Sequence, residues 1–403
     1  MKLHIDDIRE AQIRIAPYIQ RTQTCLSRSI SSMLGTQTYL KYENEQRTGS
    51  FKIRGAMNKI SRLSQEELKK GIIACSAGNH AQGVAFSATA VGSKARIVMP
   101  ESSPIVKVMA TQGYGAEVIL HGEIFDESYN RAKELEKENG YTFVHPFHDK
   151  DVMAGQGTIA LEILEQIENL DSVVIPIGGG GLIAGMATVF KTINPKIKIY
   201  GVVPQNNPGM YLAFKGQPAE SEKRLPTLAD GLAVKQPNQE IFNDFIKPLV
   251  DDIAIVDEDE IASSIVFLLE RAKTVAEGAS ATSLAAALKM KSQWSLGKNC
   301  CLLLCGGNID LNMISKVIER GFSKVGRVAR VKLIVQDQPG ALQNLTTILA
   351  KEKANIIQVY HDRLAMGIAM NETQIEFLLE CRGQPHVDQV LKALKDSGAR
   401  IQA

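Results

Sequence analysis

Lys52 lies in NEQRTGSFKIRGA, flanked by Gly49, Ser50 and Phe51 before it and Gly55 after it. A lysine held in tight Gly/Ser turns beside an aromatic, its amine partly withdrawn from water, is neutral often enough to attack a carbonyl carbon. On this string alone a solvated surface charge is the commoner explanation. A second string, CSAGNHAQG over residues 75–83, follows the apolar Ile72, Ile73 and Ala74. The backbone N–H groups of Ser76, Ala77, Gly78, Asn79 and His80 suit a carboxylate, and the Asn79 amide can donate to a ring oxygen. A polar turn capping a helix would look the same.

The third string is Gly178, Gly179, Gly180 and Gly181, between the strand pattern SVVIPI and the helical stretch LIAGMATVFKTI. Four residues without Cβ let successive N–H groups converge on one anion, and the helix start adds the positive end of its dipole. No Gly-Lys-Ser/Thr follows, which excludes a nucleoside-triphosphate loop. Gly179, Gly181 and Ala184 fit the loose GxGxxA pattern, but dinucleotide binding also needs an acid at the end of the next strand, and GVVPQNNPG over residues 201–209 offers none. The loop is left with a single terminal phosphate.

These strings need a frame that brings residues 52, 79 and 178 together. Up to about residue 316, β-branched runs such as KARIVMP, AEVILHG, KIKIYGVVP and CCLLLC alternate with helical patterns, which predicts an α/β architecture with a largely parallel, doubly covered sheet. SQEELKKG carries capping-box spacing, and EIFDESYNRAKELEKENG is amphipathic with a stop at Gly140. Residues 172–190 are uncharged, but five glycines and a proline make the run a strand, a loop and a helix, not a membrane span. In GFSKVGRVAR the apolar periodicity breaks, which predicts a linker over residues 321–327. Residues 328–403 then follow a strand–helix–strand–strand–helix–strand order, a ferredoxin-like βαββαβ unit.

Taken jointly, TGSFKIRGA, SAGNHAQG, AGQGTIALE, GGGGL, LADG and CGGN, in that order over about residues 5–316, resemble the fold-type II pyridoxal-phosphate enzymes, specifically their serine/threonine dehydratase branch. The resemblance implies two open twisted sheets covered by helices with the cofactor between them, in a catalytic domain of residues 1–320 whose smaller subdomain spans about 47–145. It implies Lys52 as the Schiff-base lysine and base, Phe51 against the cofactor, Asn79 on its 3-hydroxyl, and Gly178, Gly179, Gly180 and Gly181 with Leu182 on its phosphate. Cys305 approaches the pyridine nitrogen, with Glu277 in that vicinity. Ser76, Ala77, Gly78, Asn79 and His80 receive the substrate. The implied reaction is β-elimination of L-threonine to 2-oxobutyrate and ammonia, with L-serine as a secondary substrate. A serine-specific dehydratase is the alternative within the family, and a non-catalytic amino-acid sensor the alternative outside it. Ala77 stands where the family's serine racemases carry a second serine, which argues against racemisation. Val203 stands where many relatives carry a metal-ligating Glu, so no metal is expected.

The tail strings QDQPGALQNL and NIIQVYHDR resemble the ACT regulatory domain. That resemblance implies an effector site of Asp337, Gly340, Ala341, Leu342, Asn355 and Ile356 at an interface between domains, an amino acid such as isoleucine or valine as effector, and a homo-oligomer. Composition fits a globular enzyme: 403 residues, 44% hydrophobic and 22% charged, with Lys+Arg 46 against Asp+Glu 44 in a mixed pattern that gives no electrostatic support to nucleic-acid binding. MKLHIDDIRE is not a signal peptide, so a cytoplasmic protein is expected. The six cysteines lack metal-ligand or disulfide spacing and are expected to be buried thiols.

Overall fold

The computed structural model describes residues 1–218, 225–234 and 236–402. Its strands in chain order are β1 (Thr24–Leu26), β2 (Gln37–Tyr42), β3 (Ile72–Cys75), β4 (Ala95–Met99), β5 (Glu117–Leu120), β6 (Thr142–Phe143) and β7 (Ser172–Pro176). They continue with β8 (Lys198–Pro204), β9 (Asp252–Val256), β10 (Asn299–Leu304), β11 (Val328–Gln336), β12 (Asn355–Asp362), β13 (Glu372–Glu380) and β14 (Arg400–Gln402). The chain divides into two compact units, Met1–Leu311 and Asn312–Ala403.

The first unit holds two sheets. One has the order β1-β2-β10-β7-β8-β9, parallel except for the β1–β2 pair; the other, β5-β4-β3-β6, is parallel throughout. All residues of β7 and β10 are buried, as expected of parallel strands covered by helices on both faces. Residues 172–190 resolve into β7, the glycine loop and the helix Gly181–Ile193. Local signals act where the sequence carries them. Ser64 and Glu67 form the capping box of the helix Gln65–Lys70, and Gly140 ends the helix Phe125–Asn139 at φ +69°.

The second unit has the antiparallel order β12-β13-β11-β14 and the ferredoxin-like βαββαβ succession, with Val331, Leu333, Ile375, Phe377 and Leu379 in its core. The linker expected over 321–327 is largely helix. The helix Leu311–Lys324 runs through Gly321, which is buried within it, so this glycine does not interrupt the chain. A second correction concerns Cys25, which is exposed on β1; the other five cysteines are buried, and all six are free.

The helix Lys52–Ile60 is braced by a buried group of four charges. The Arg54 guanidinium donates to Glu43 through Nε (2.8 Å) and Nη2 (2.8 Å), and to Glu162 through Nη1 (2.7 Å) and Nη2 (3.0 Å). Lys41 Nζ donates to the same Glu162 (2.6 Å) and to the Thr22 carbonyl (2.8 Å). Arg54, Lys41 and Glu43 have no accessible surface. Two acids and two bases cancel, and the planar fork meets both carboxylates side on. Around it, Gly155 on the helix Lys150–Gln166 leaves no room for a Cβ against the Arg54 carbonyl and Gly55. The AGQGTIALE string is therefore the seat of the Lys52 helix: Gly155 allows contact, Gln156 Oε1 accepts from Gly55 N (3.2 Å), and Glu162 takes Arg54.

Removing one member of a buried pair strands its partners' charge, at a cost of about 3–5 kcal/mol. Arg54→Met should lower unfolding stability by that order, measured by urea titration of the fluorescence of Trp294, the single tryptophan, which lies in the first unit. Arg21→Met, which breaks an exposed pair with Glu165, should leave the midpoint nearly unchanged. Equal shifts in the two variants would contradict the role given to the buried group.

Candidate active site

The loops after β3, β7 and β10 open onto one cavity of about 1000 Å³, at the carboxyl ends of parallel strands where α/β sheets bind ligands. Lys52, the residues 76–80, Gly178–Gly181 with Leu182, Glu277 and Cys305 all line it. Lys52 is the first residue of its helix, and its Nζ donates to the Pro146 carbonyl at 2.9 Å. The Phe51 ring centre lies 5.3 Å from the same nitrogen. Burial pushes the Lys52 ammonium down to about 8, and Cys305 and Glu277 only partly oppose it. Desolvation of this kind is what makes a lysine nucleophilic near neutrality.

Backbone bonds knit the first and last motifs together. Phe51 N donates to the Cys305 carbonyl (3.1 Å), Gly307 N to the Gly49 carbonyl (2.9 Å), and Ser50 bridges Gly306. Gly49 sits at φ +70°, and a Cβ there would run into Asn308. Asn308 Nδ2 donates to the Thr48 carbonyl (2.8 Å) and to Asn79 Oδ1 (2.8 Å), while Asn79 Nδ2 donates to both oxygens of Glu277 (2.8 and 3.0 Å). A main-chain carbonyl only accepts, so the Thr48 end sets Asn308 Nδ2 as donor, Asn79 Oδ1 as its acceptor and Asn79 Nδ2 toward Glu277. Burial pushes the Glu277 carboxyl up to about 7 against the Asn79 bond, and burial also pushes the Cys305 thiol up. Ser280 Oγ bonds the Gly306 carbonyl and lies 3.6 Å from Cys305 Sγ.

The glycine loop turns at Gly180, φ +90°, and its first helical bond runs from Ala184 N to the Gly180 carbonyl. The N–H groups at the start of the helix Gly181–Ile193 therefore have no acceptor within it. A Cβ on Gly179 would enter the Phe147 ring, one on Gly181 would lie 2.6 Å from the Phe147 carbonyl, and one on Gly178 would lie 3.1 Å from the Gly231 carbonyl. The cradle is bare backbone because side chains have no room on either side. Its fit is to a monoester phosphate, with the buried amine of Lys52 available to an aldehyde in the same cavity.

On the β3 side, Ser76 Oγ accepts from Gly78 N (3.2 Å) ahead of the helix Asn79–Ala90, whose start faces the cavity. The His80 ring turns away to Val144, donating Nε2–H to its carbonyl (2.8 Å), and burial with Lys52 nearby pushes it down to about 3. His80 is thus a structural ring whose backbone, not imidazole, faces ligand. Sequence reasoning passed over the turn of residues 145–148, which supplies the Lys52 acceptor, and over Arg54, Asn308 and Ser280. Two histidines, a proline and a phenylalanine together in HPFHD were the available signal for the turn.

In the second unit Asp337, Gly340, Ala341 and Leu342 form the turn from β11 into the helix Ala341–Lys351, with Gly340 at φ +91° and Asp337 paired to Arg363 at 3.1 Å. Asn355 and Ile356 begin β12. The register sets Gln336 opposite Glu372 and Asn355 opposite Glu380, so the two groups stand at opposite ends of β13. One copy of the unit does not bring them together. Among the described residues no cluster of His, Cys, Asp and Glu could hold a metal ion, and no helix is long and apolar enough to cross a membrane.

Comparison with known proteins identifies the family. The model of the family "Pyridoxal-phosphate dependent enzyme" matches residues 15–306. The chain is 45% identical over 397 residues to an L-threonine ammonia-lyase of Thermotoga maritima, covering 98% of each chain. It superposes on maize serine racemase with TM-score 0.74 at 35% identity, over 80% of this chain and 99% of that one. A processed threonine deaminase isoform 2 from Solanum lycopersicum gives TM-score 0.73 at 37% identity, over 78% and 88%. With the glycine cradle and the buried lysine in the matched stretch, this chain belongs to the pyridoxal-phosphate-dependent enzymes, in their fold-type II architecture.

Proposed function

We propose that this protein is a threonine ammonia-lyase, a carbon–nitrogen lyase that converts L-threonine to 2-oxobutyrate and ammonia and takes L-serine to pyruvate more slowly. The observation that carries the reading is an amine lowered to about 8, facing a bare-backbone anion cradle across one cavity, in a chain similar over nearly its whole length to an L-threonine ammonia-lyase. Lys52 would hold the cofactor at its aldehyde, Gly178, Gly179, Gly180, Gly181 and Leu182 its phosphate, Asn79 its ring hydroxyl and Phe51 one ring face, with Cys305 and Glu277 near the ring nitrogen. Pyridoxal phosphate, when bound, supplies the electron sink that acidifies the substrate Cα–H and lets the β-hydroxyl depart.

The protein's part is positioning and proton transfer. N–H groups of Ser76, Ala77, Gly78, Asn79 and His80 receive the substrate carboxylate at a helix start. Lys52, neutral above about pH 8 and in part below it, takes the proton from Cα. Cys305 stays a neutral thiol, so it places no negative charge where one would keep a ring nitrogen protonated, and that favours prompt loss of the β-hydroxyl. Ala77 has no hydroxyl with which to return a proton from the other face, which separates this reading from racemisation.

For the second unit we propose an ACT-type regulatory role, with isoleucine or valine as effector. Since Asp337–Leu342 and Asn355–Ile356 stand at opposite ends of one sheet, a ligand touching both lies between two copies of the unit, which makes the enzyme a homo-oligomer. The protein works in the cytoplasm.

Borohydride reduction of the holoenzyme should fix the cofactor on the peptide containing Lys52, and Lys52→Ala should lower turnover by about 10²–10⁴-fold; label on another lysine would sink the assignment. The ratio of kcat/KM for L-threonine over L-serine should exceed 1 by a factor of up to ~100, since one methyl in a pocket is worth about 1–3 kcal/mol; a ratio below 1 would move the assignment to a serine-specific dehydratase. Isoleucine or valine should raise the thermal midpoint of the full chain, and Asn355→Ala with Gly340→Leu should abolish that rise without changing catalysis in its absence. A rise that survives both substitutions would place the effector elsewhere.

A further inference from the structure

The acceptor that holds the Lys52 amine is a main-chain carbonyl in a short turn, and what holds that turn is a histidine outside every motif above. His145 Nδ1 accepts from Phe147 N (3.2 Å) and His148 N (2.9 Å), closing residues 145–148 on themselves. Both donors are amides, so Nδ1 carries no proton and the ring is neutral with its hydrogen on Nε2. The turn presents two groups inward: the Pro146 carbonyl, 2.9 Å from Lys52 Nζ, and Phe147, whose ring and carbonyl back the glycine loop at Gly179 and Gly181. Its far end is tied as well, through His148 Nε2 to Glu240 (2.8 Å) and through Asp149, which caps the helix Lys150–Gln166 by accepting from Asp151 N (2.8 Å) and Val152 N (3.1 Å). The His145 ring stands edge-on to Phe147 at 4.7 Å.

We propose that His145 is a positioning residue for the Lys52 amine, acting through the turn it closes: its Nδ1 fixes the Pro146 carbonyl, and the carbonyl fixes one N–H of Lys52 and thereby the direction of the lone pair. The inference rests on the reading of Lys52 as the reactive amine. A neutral amine on a four-carbon stem rotates freely unless an acceptor orients it, and a misplacement of about 1 Å at a reacting atom costs about 100-fold in rate. Burial, with His148 and Lys52 adding their charge and Asp149 opposing, holds His145 down to about 4, so the cap persists at neutral pH.

Asparagine and phenylalanine separate the two things His145 offers. Asn Oδ1 stands the same number of bonds from Cα as His Nδ1 and only accepts; Phe keeps the ring and has no acceptor. With L-threonine, the holoenzyme carrying His145→Asn should keep kcat within about 3-fold of the parent, and His145→Phe should lose about 10- to 100-fold in kcat with KM within about 3-fold. In the cofactor-free proteins, acetic anhydride labelling of Lys52 at pH 7, read by peptide mass, should run at the parental rate in His145→Asn and about 3-fold or more faster in His145→Phe, because losing the carbonyl disfavours the ammonium. Parental behaviour of His145→Phe in both measurements, or equal impairment of the two variants, overturns the proposal. If His145→Phe does not fold, His145→Ala against His145→Asn makes the same comparison. Borohydride mapping keeps the levels apart: cofactor fixed on a residue other than Lys52 overturns the underlying reading and the proposal with it, and cofactor on Lys52 throughout leaves the kinetic and labelling contrast to decide.

Discussion

Burial in the protein lowers the Lys52 amine to about 8, and its hydrogen-bond partner is a carbonyl, not a carboxylate that would bring a full opposing charge. The same desolvation drives each neighbour toward its uncharged form. Glu277 rises to about 7, the Cys305 thiol rises, and His80 and His145 fall to about 3 and about 4. Burial thus draws each of these groups toward its neutral form, and Lys107 and Asp230, which also line the cavity, pair with each other. Anions are met by N–H groups at two helix starts, which attract negative charge without adding a cation. An arginine in place of the glycine cradle would press the Lys52 amine further down and draw Glu277 toward its ionised form. The bare loop leaves both groups poised where burial puts them.

Two residues further along the same helix the chain solves the opposite problem. Arg54, with no accessible surface, is more deeply enclosed than the half-buried Lys52 but is fully paired with Glu43 and Glu162, while Lys41 completes the neutral set. Apolar packing of equal volume would stabilise the fold at least as well. What a bidentate fork adds is orientation: two carboxylates on different elements admit one rotation of the helix about its axis, and hence one direction for the side chain at its first residue. The unpaired amine and the saturated guanidinium are two ends of one device, the second holding still what the first needs free of charge.

Much of this was legible in the sequence, because the motifs work through backbone and small side chains that leave a local signature. The glycine loop, the helix start at Asn79 and the turn before Lys52 are of that kind, and so is the βαββαβ order of the tail. Groups that act across the chain leave no such mark. Arg54 and Glu162 are 108 residues apart, Lys52 and Pro146 are 94 apart, and a carbonyl has no residue type to betray it. Asn308 was visible only as the end of CGGN, not as the joint between Thr48 and Asn79. The misread linker has a similar cause: Gly321 lies buried inside a helix, and a sequence does not distinguish a helical glycine from a break. Asp337 and Asn355 were grouped by resemblance, while the antiparallel register, which is not local, stands them at opposite ends of a strand.

The likeness to maize serine racemase shows how little the scaffold alone decides. Exchanging the configuration at Cα needs a proton donor on each face, whereas elimination needs one base and a leaving group that departs before the proton returns. Along residues 76–80, position 77, where a second donor would stand, ends in the methyl of Ala77, and the His80 ring is spent on the Val144 carbonyl with its basicity suppressed by burial. On the proposed reading, Lys52 is then the single proton carrier beside the reacting carbon. A neutral thiol at Cys305 does nothing to prolong the carbanionic charge that a returning proton would have to meet. On that reading these two features favour elimination on a fold shared with that racemase.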